Sequence, residues 1–129
     1  MKMLLDDSKL IYLQIASSIE DEILRGSIGE EEQVYSTNQL AKIYGINPAT
    51  AAKGVNLLTD EGVLYKKRGI GMFVALGARD IIVRKRKEQF INEFVRTLFV
   101  EAEKLGITKT ELMDIIERYE RGGEEWPSL

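Results

Sequence analysis

Three consecutive cations, Lys66-Lys67-Arg68, stand directly before Gly69, with short apolar runs on either side. Cations crowded onto a glycine-hinged turn suit attraction to an anionic polymer. Charge is unevenly spread along the chain. Residues 62–87 hold 8 basic and 1 acidic side chains, whereas residues 1–61 and 88–129 each hold 5 basic and 10 acidic ones. The net charge of −3 therefore conceals a strongly basic segment between acidic flanks. A polyanion responds to charge within a Debye length of about 8–10 Å, so the local patch matters more than the total. A second set of residues points the same way. Asn47, Ala49, Thr50 and Lys53 place small or polar side chains at the start of a predicted helix. Such a turn can approach base edges in a major groove.

Other chemistries lack the residues they need. There is no histidine and no cysteine. Imidazole and thiolate metal sites are excluded, as are Ser/His and Cys/His nucleophiles. Carboxylates, lysines and tyrosines remain for acid–base work, but no paired-carboxylate motif stands out. Gly69-Ile70-Gly71 is a GxG between two apolar runs with no helix after it, a poor match to a phosphate loop. An enzyme is not expected, nor a cofactor or metal. Without cysteine there is no disulfide framework, and the reading is a reducing cytoplasm. No apolar run approaches the roughly 20 residues of a membrane span. Met1 to Asp7 meets acid too early for a secretory signal, so no membrane partner is expected.

The elements that position these residues follow from apolar spacing and punctuation. Tyr12, Ile15, Ala16, Ile19 and Ile23 predict a helix from about Ser8 to Arg25, stopped by Gly26, with Glu20, Asp21 and Glu22 mostly off its apolar stripe. Residues 27–35 read as an acidic loop. Ser36 and Gln39 form a capping box opening a second helix, with Leu40, Ala41 and Ile43 inward and Gly45 at its end. Asn47-Pro48 opens a third helix, with Ala51, Val55 and Leu58 inward and Gly62 as its stop. Val63-Leu64-Tyr65 and Met72-Phe73-Val74 predict a β-hairpin whose tip is Lys66 to Gly71. Gly77-Ala78 reads as a boundary between residues 1–77 and 78–129. Beyond it a long helix is expected from about Asp80 to Leu105. A last helix opens on a second capping box, Thr108 and Glu111, and ends at Gly122-Gly123. Glu124 to Leu129, with Trp126, reads as a tail.

Helix, helix, turn, helix and basic hairpin is the winged helix-turn-helix order, so the fold class is mainly α with one small β-hairpin and a two-helix C-terminal segment. Leu10-Ile11-Tyr12-Leu13-Gln14-Ile15-Ala16 resembles the opening of the GntR family of regulators. Ser36-Thr37-Asn38-Gln39-Leu40-Ala41 and Asn47-Pro48-Ala49-Thr50-Ala51-Ala52-Lys53 resemble its two DNA-facing segments, and Glu61 to Val74 resembles its wing. The third-helix start and the short tail resemble the YtrA subfamily. The resemblance implies a bacterial, dimeric repressor of the kind that often controls ABC-transporter operons. It implies DNA contacts from Ser36, Thr37, Asn38, Asn47, Ala49, Thr50, Lys53, Lys66, Lys67, Arg68 and Gly69. The chain departs from the family pattern at Val34-Tyr35-Ser36, where many members have Leu-Pro-Ser. It also departs at Asn38, Pro48 and Ala52, where many have arginine.

The tail carries the other expectation. A two-helix segment has little of its own to pack on, so its apolar line reads as a subunit interface made by Phe90, Ile91, Phe94, Val95, Leu98, Ala102, Leu112 and Ile116. Arg84-Lys85-Arg86-Lys87 reads as a solvated helix face, with phosphate contact as its functional alternative. The partners expected are operator DNA and a second copy of the chain. The alternative is a winged-helix adaptor that binds protein. The sequence leaves room for a small-molecule effector and names none. Residues 78–129 are too few for a separate sensor domain of about 100–150 residues.

Overall fold

The structure, a computed structural model, describes Leu5 and residues 10–122. Its helices are α1 (Ile11–Leu24), α2 (Thr37–Tyr44), α3 (Pro48–Asp60), α4 (Ala78–Phe90), α5 (Arg96–Lys104) and α6 (Lys109–Glu120). Two antiparallel strands, β1 (Leu64–Lys67) and β2 (Gly71–Val74), lie between α3 and α4. The expected start of the first helix at Ser8 lies outside the described residues, as do Gly123 and the tail with Trp126.

Helix starts form where the sequence supplies a cap. Ser36 Oγ accepts the Gln39 N–H at 3.1 Å while Gln39 Oε1 accepts the Ser36 N–H at 2.8 Å. Asn47 Oδ1 accepts the Ala49 N–H at 2.8 Å, with Pro48 at the first helical position. Thr108 and Glu111 complete the second capping box. Each cap satisfies backbone donors that the helix itself leaves without partners.

Residues 1–85 form one compact unit. Its core joins Ile15 and Ile19 of α1, Leu40 of α2, Leu58 of α3, Val63, Leu64, Val74 and Ile82, all fully buried. Burying each such side chain contributes roughly 1.5–3 kcal/mol. Because Ala78 and Ile82 belong to this core, the unit runs past Gly77 to Lys85. At Gly54 the backbones of α1 and α3 approach so closely that a Cβ would stand 2.8 Å from the Tyr12 carbonyl oxygen.

Several expectations change. Val63 does not begin the strand; its N–H closes α3 on the Leu58 carbonyl at 2.9 Å. β1 instead takes in Lys66 and Lys67, paired with Met72 and Gly71, so the hairpin tip shrinks to Arg68-Gly69-Ile70. Residues 27–35 are not wholly loop. Glu31 and Val34 donate to the Val74 and Met72 carbonyls at 2.7 and 2.9 Å, and Gln33 bridges Phe73. This segment thus lines the second edge of β2. Glu20, expected mostly off the apolar stripe, is nonetheless only 4% exposed, in an ion pair with Lys85.

Residues 86–129 form the second unit, described here to Gly122. The expected unbroken helix from Asp80 to Leu105 is interrupted by a π-helical turn, Ile91–Val95. A π turn adds a residue and rotates the following side chains out of the 3.6-residue register. The local sequence contains no proline or glycine and nothing in it announces this turn.

Candidate nucleic-acid interface

Helix α3 packs on α1, α2 and β1, which fixes the direction of its first turn. Asn47 and Ala49 are exposed there and Thr50 is half-buried. The Asn47 side-chain oxygen Oδ1 is committed to its cap, so its NH2 group is what the side chain can offer a ligand. Ser36 is similar: its oxygen accepts the Gln39 N–H, leaving its hydroxyl proton to donate. Asn38 is exposed and Thr37 half-buried beside it. Lys53 is exposed, but its ammonium does not extend freely. Nζ stands over the ring of Tyr12, 4.2 Å from the centroid.

The wing is built from β1, β2 and the segment before α2. Its tip is a four-residue turn in which the Ile70 N–H donates to the Lys67 carbonyl at 3.0 Å. Gly69 occupies the third position with φ of +79°, a conformation in which a side chain is strained. Lys66, Lys67 and Arg68 are exposed. Strand alternation places Lys67 on the aromatic face of the hairpin, where Nζ lies 4.2 Å from the Phe73 ring centroid. Tyr65 stacks against Phe73 at 6.1 Å and donates its hydroxyl to Glu31. That hydrogen bond to a carboxylate holds the Tyr65 phenol above its ordinary pKa, with burial adding to the effect. From the other side, Gln33 Nε2 donates to the Ile70 carbonyl at 3.1 Å.

The basic run after the wing divides. Arg84 and Lys87 are exposed, whereas Lys85 turns inward to Glu20 and Glu61. Burial works against the Lys85 ammonium, but the two carboxylates outweigh it and raise its pKa above the ordinary lysine value.

In the second unit, Phe90 and Phe94 are 57% and 61% exposed, with ring centroids 5.8 Å apart. Ile91, Leu98 and Ile116 are also exposed, and Val95 is half-buried. Ala102 and Leu112 depart from the expected interface line. Each is only 6% exposed in the single chain, so neither is part of its exposed apolar surface.

Three residues of this region are not evident from the sequence alone. Tyr12 reads as core, Gln33 reads as loop, and Gly54 stands unassigned within a helical pattern. Gly54 did carry a signal, since an isolated glycine inside a helical pattern often marks close packing.

The chain matches the family described as bacterial regulatory proteins, gntR family, over residues 11–74. A solved putative transcriptional regulator of the GntR family from Bacteroides thetaiotaomicron is 38% identical, with a TM-score of 0.74, over 88% of this chain and 99% of that one. The HTH-type transcriptional repressor YtrA of Bacillus subtilis (strain 168) is 28% identical over 106 residues, 82% of this chain and 81% of its own. The AraR DNA-binding domain, solved in complex with operator ORX1, is 29% identical with a TM-score of 0.50, over 58% of this chain and 92% of that one.

Proposed function

Because the chain belongs to the GntR family of bacterial transcription regulators and is of the YtrA type, we propose that it is a homodimeric repressor that binds a palindromic operator. The observation that carries this is the joint presentation, in one compact unit, of the exposed first turn of α3 and a cationic, glycine-hinged wing tip. Each α3 enters a major groove with Asn47, Ala49 and Thr50 toward base edges. Arg68 and Gly69 reach the neighbouring minor groove, where the potential is most negative. Lys53, Lys66 and Lys67 supply further cations, and Ser36, Thr37 and Asn38 hold the duplex from the start of α2.

The exposed line of Phe90, Ile91, Phe94, Leu98 and Ile116, with Val95 at its edge, joins two copies across a two-fold axis. Residues 1–77 thus serve DNA binding and residues 78–129 dimerisation, with Ala78 to Lys85 acting as a strut on the DNA-binding core. The likeness to YtrA supports repression, and by the subfamily resemblance the target is an ABC-transporter operon. The site of action is the cytoplasm, where the operator is. Catalysis has no place in this reading.

Selection of duplexes from a random pool by the full-length chain tests the proposal. An inverted repeat should emerge with half-sites about 34–36 Å apart, or a multiple of that. A pool that emerges without sequence preference contradicts it.

A further inference from the structure

Lys53 is the one cation on α3 and its ammonium is engaged with another helix. The chain of causes begins one residue later. Gly54 has no side chain, which lets the α1 backbone come within 2.8 Å of where a Cβ would be. That approach brings the Tyr12 ring, in the first turn of α1, beneath the Lys53 side chain. The ring face is electron-rich and attracts the ammonium at 4.2 Å. An ammonium stacked on one side keeps donors on its other sides, and it is a compact point charge suited to a phosphate oxygen. The stack holds the charge over a ring of α1, whereas Asn47, Ala49 and Thr50 stand at the opening turn of α3.

We propose that Tyr12 and Lys53 together form a phosphate clamp: Lys53 contacts the DNA backbone without reading bases, and Tyr12 is its positioning residue. This rests on the DNA-binding reading above. It differs from that reading in what Lys53 contributes, which is sequence-independent affinity. Tyr12 touches no nucleic acid; it acts by limiting where the lysine can go before the duplex arrives.

The test measures full-length variants on two labelled duplexes, one selected by the protein and one of random sequence. Lys53→Met should weaken both by the same factor and reduce the log–log salt slope by about 0.9 per subunit. Tyr12→Phe keeps the ring and should bind like the parent. Tyr12→Leu should weaken both duplexes roughly two- to fivefold. In the Lys53→Met background Tyr12→Leu should add nothing, a result that a merely structural role for Tyr12 would not give. The clamp is overturned if Lys53→Met weakens only the selected duplex. It is equally overturned if Tyr12→Leu has no effect, tightens binding, or persists at full size in the Lys53→Met background. If Lys53→Met is silent while Arg68→Ala weakens binding, the clamp fails and the DNA face stands. If the parent binds neither duplex, both readings fall.

Discussion

The Lys85 ammonium on α4 donates to both oxygens of the Glu61 carboxylate at the end of α3, at 2.9 and 3.2 Å. The same ammonium pairs with buried Glu20 on α1, so one side chain ties three helices together. Arg79 adds a second tie, donating to the Leu24 carbonyl at the end of α1 at 2.6 Å. Lys85→Ala removes this cation from the buried Glu20 carboxylate. The expected cost is about 1–3 kcal/mol, moderated because Lys85 remains partly solvated. The pH dependence has a definite sign. The Lys85 pKa is raised in the folded state, so its contribution is fully present below the ordinary lysine value and is lost as pH rises through the raised one. Urea unfolding across the alkaline range should show that loss in the parent and not in the variant. Equal stability of the two at neutral pH would show that the pair does not hold α4.

Gly54→Ala should destabilise the first unit by about 1–3 kcal/mol, although alanine is the better helix former by about 1 kcal/mol. The added methyl would meet the Tyr12 carbonyl oxygen at 2.8 Å and Ile15 at 3.2 Å, and the former is backbone that cannot swing aside. The urea midpoint checks this. A midpoint that rises means the two helices are farther apart than described.

The wing should be sensitive at its tip and at its buttress. Arg68→Ala should weaken duplex binding by about 1–3 kcal/mol, mostly at sites with A·T-rich flanks. Gln33→Met keeps the side-chain length but removes the donor to the Ile70 carbonyl, and should weaken binding by up to about 1 kcal/mol without changing the urea midpoint much. Electrophoretic mobility shift on the selected duplex reads both. Parent-like binding by Arg68→Ala would remove the wing from the DNA face.

Dimerisation should depend on the exposed aromatic pair. Phe94→Glu places a charge where burial of apolar side chains, at about 1.5–3 kcal/mol each, is proposed to hold two copies together. Sedimentation velocity at micromolar concentration should give a dimer for the parent and a monomer for Phe94→Glu. A monomeric parent, or a dimeric variant, would show that this stripe is not the interface.

What the sequence made legible was local. The caps at Ser36, Asn47 and Thr108 concern residues within three positions of one another, and all three lie where the side-chain chemistry put them. The inward faces of α1 and α3 followed from helical periodicity. What stayed hidden was pairing across the chain. Glu20 reads as an acid off the apolar stripe of α1, and only the packing of α4 brings Lys85 to it. Gln33 reads as loop until β2 offers it an edge, and Tyr12 reads as core until Gly54 lets α1 approach α3. The strand took Lys66 and Lys67 from the expected tip because the turn needs only Arg68-Gly69-Ile70. At Ala102 and Leu112, apolar character gave no means of distinguishing burial within one chain from burial between two.

The most direct test of the whole account is the affinity of the full-length chain for its selected duplex, measured by fluorescence anisotropy across a salt series. Log affinity should fall linearly with log salt, with a slope near −0.9 for each of roughly 6–10 phosphate contacts per dimer, and two chains should bind each duplex. The acidic pI near 5.1 makes that steep response a consequence of the local wing and α3 charges and not of the total charge. A flat salt response, or no complex at low salt, would contradict the account.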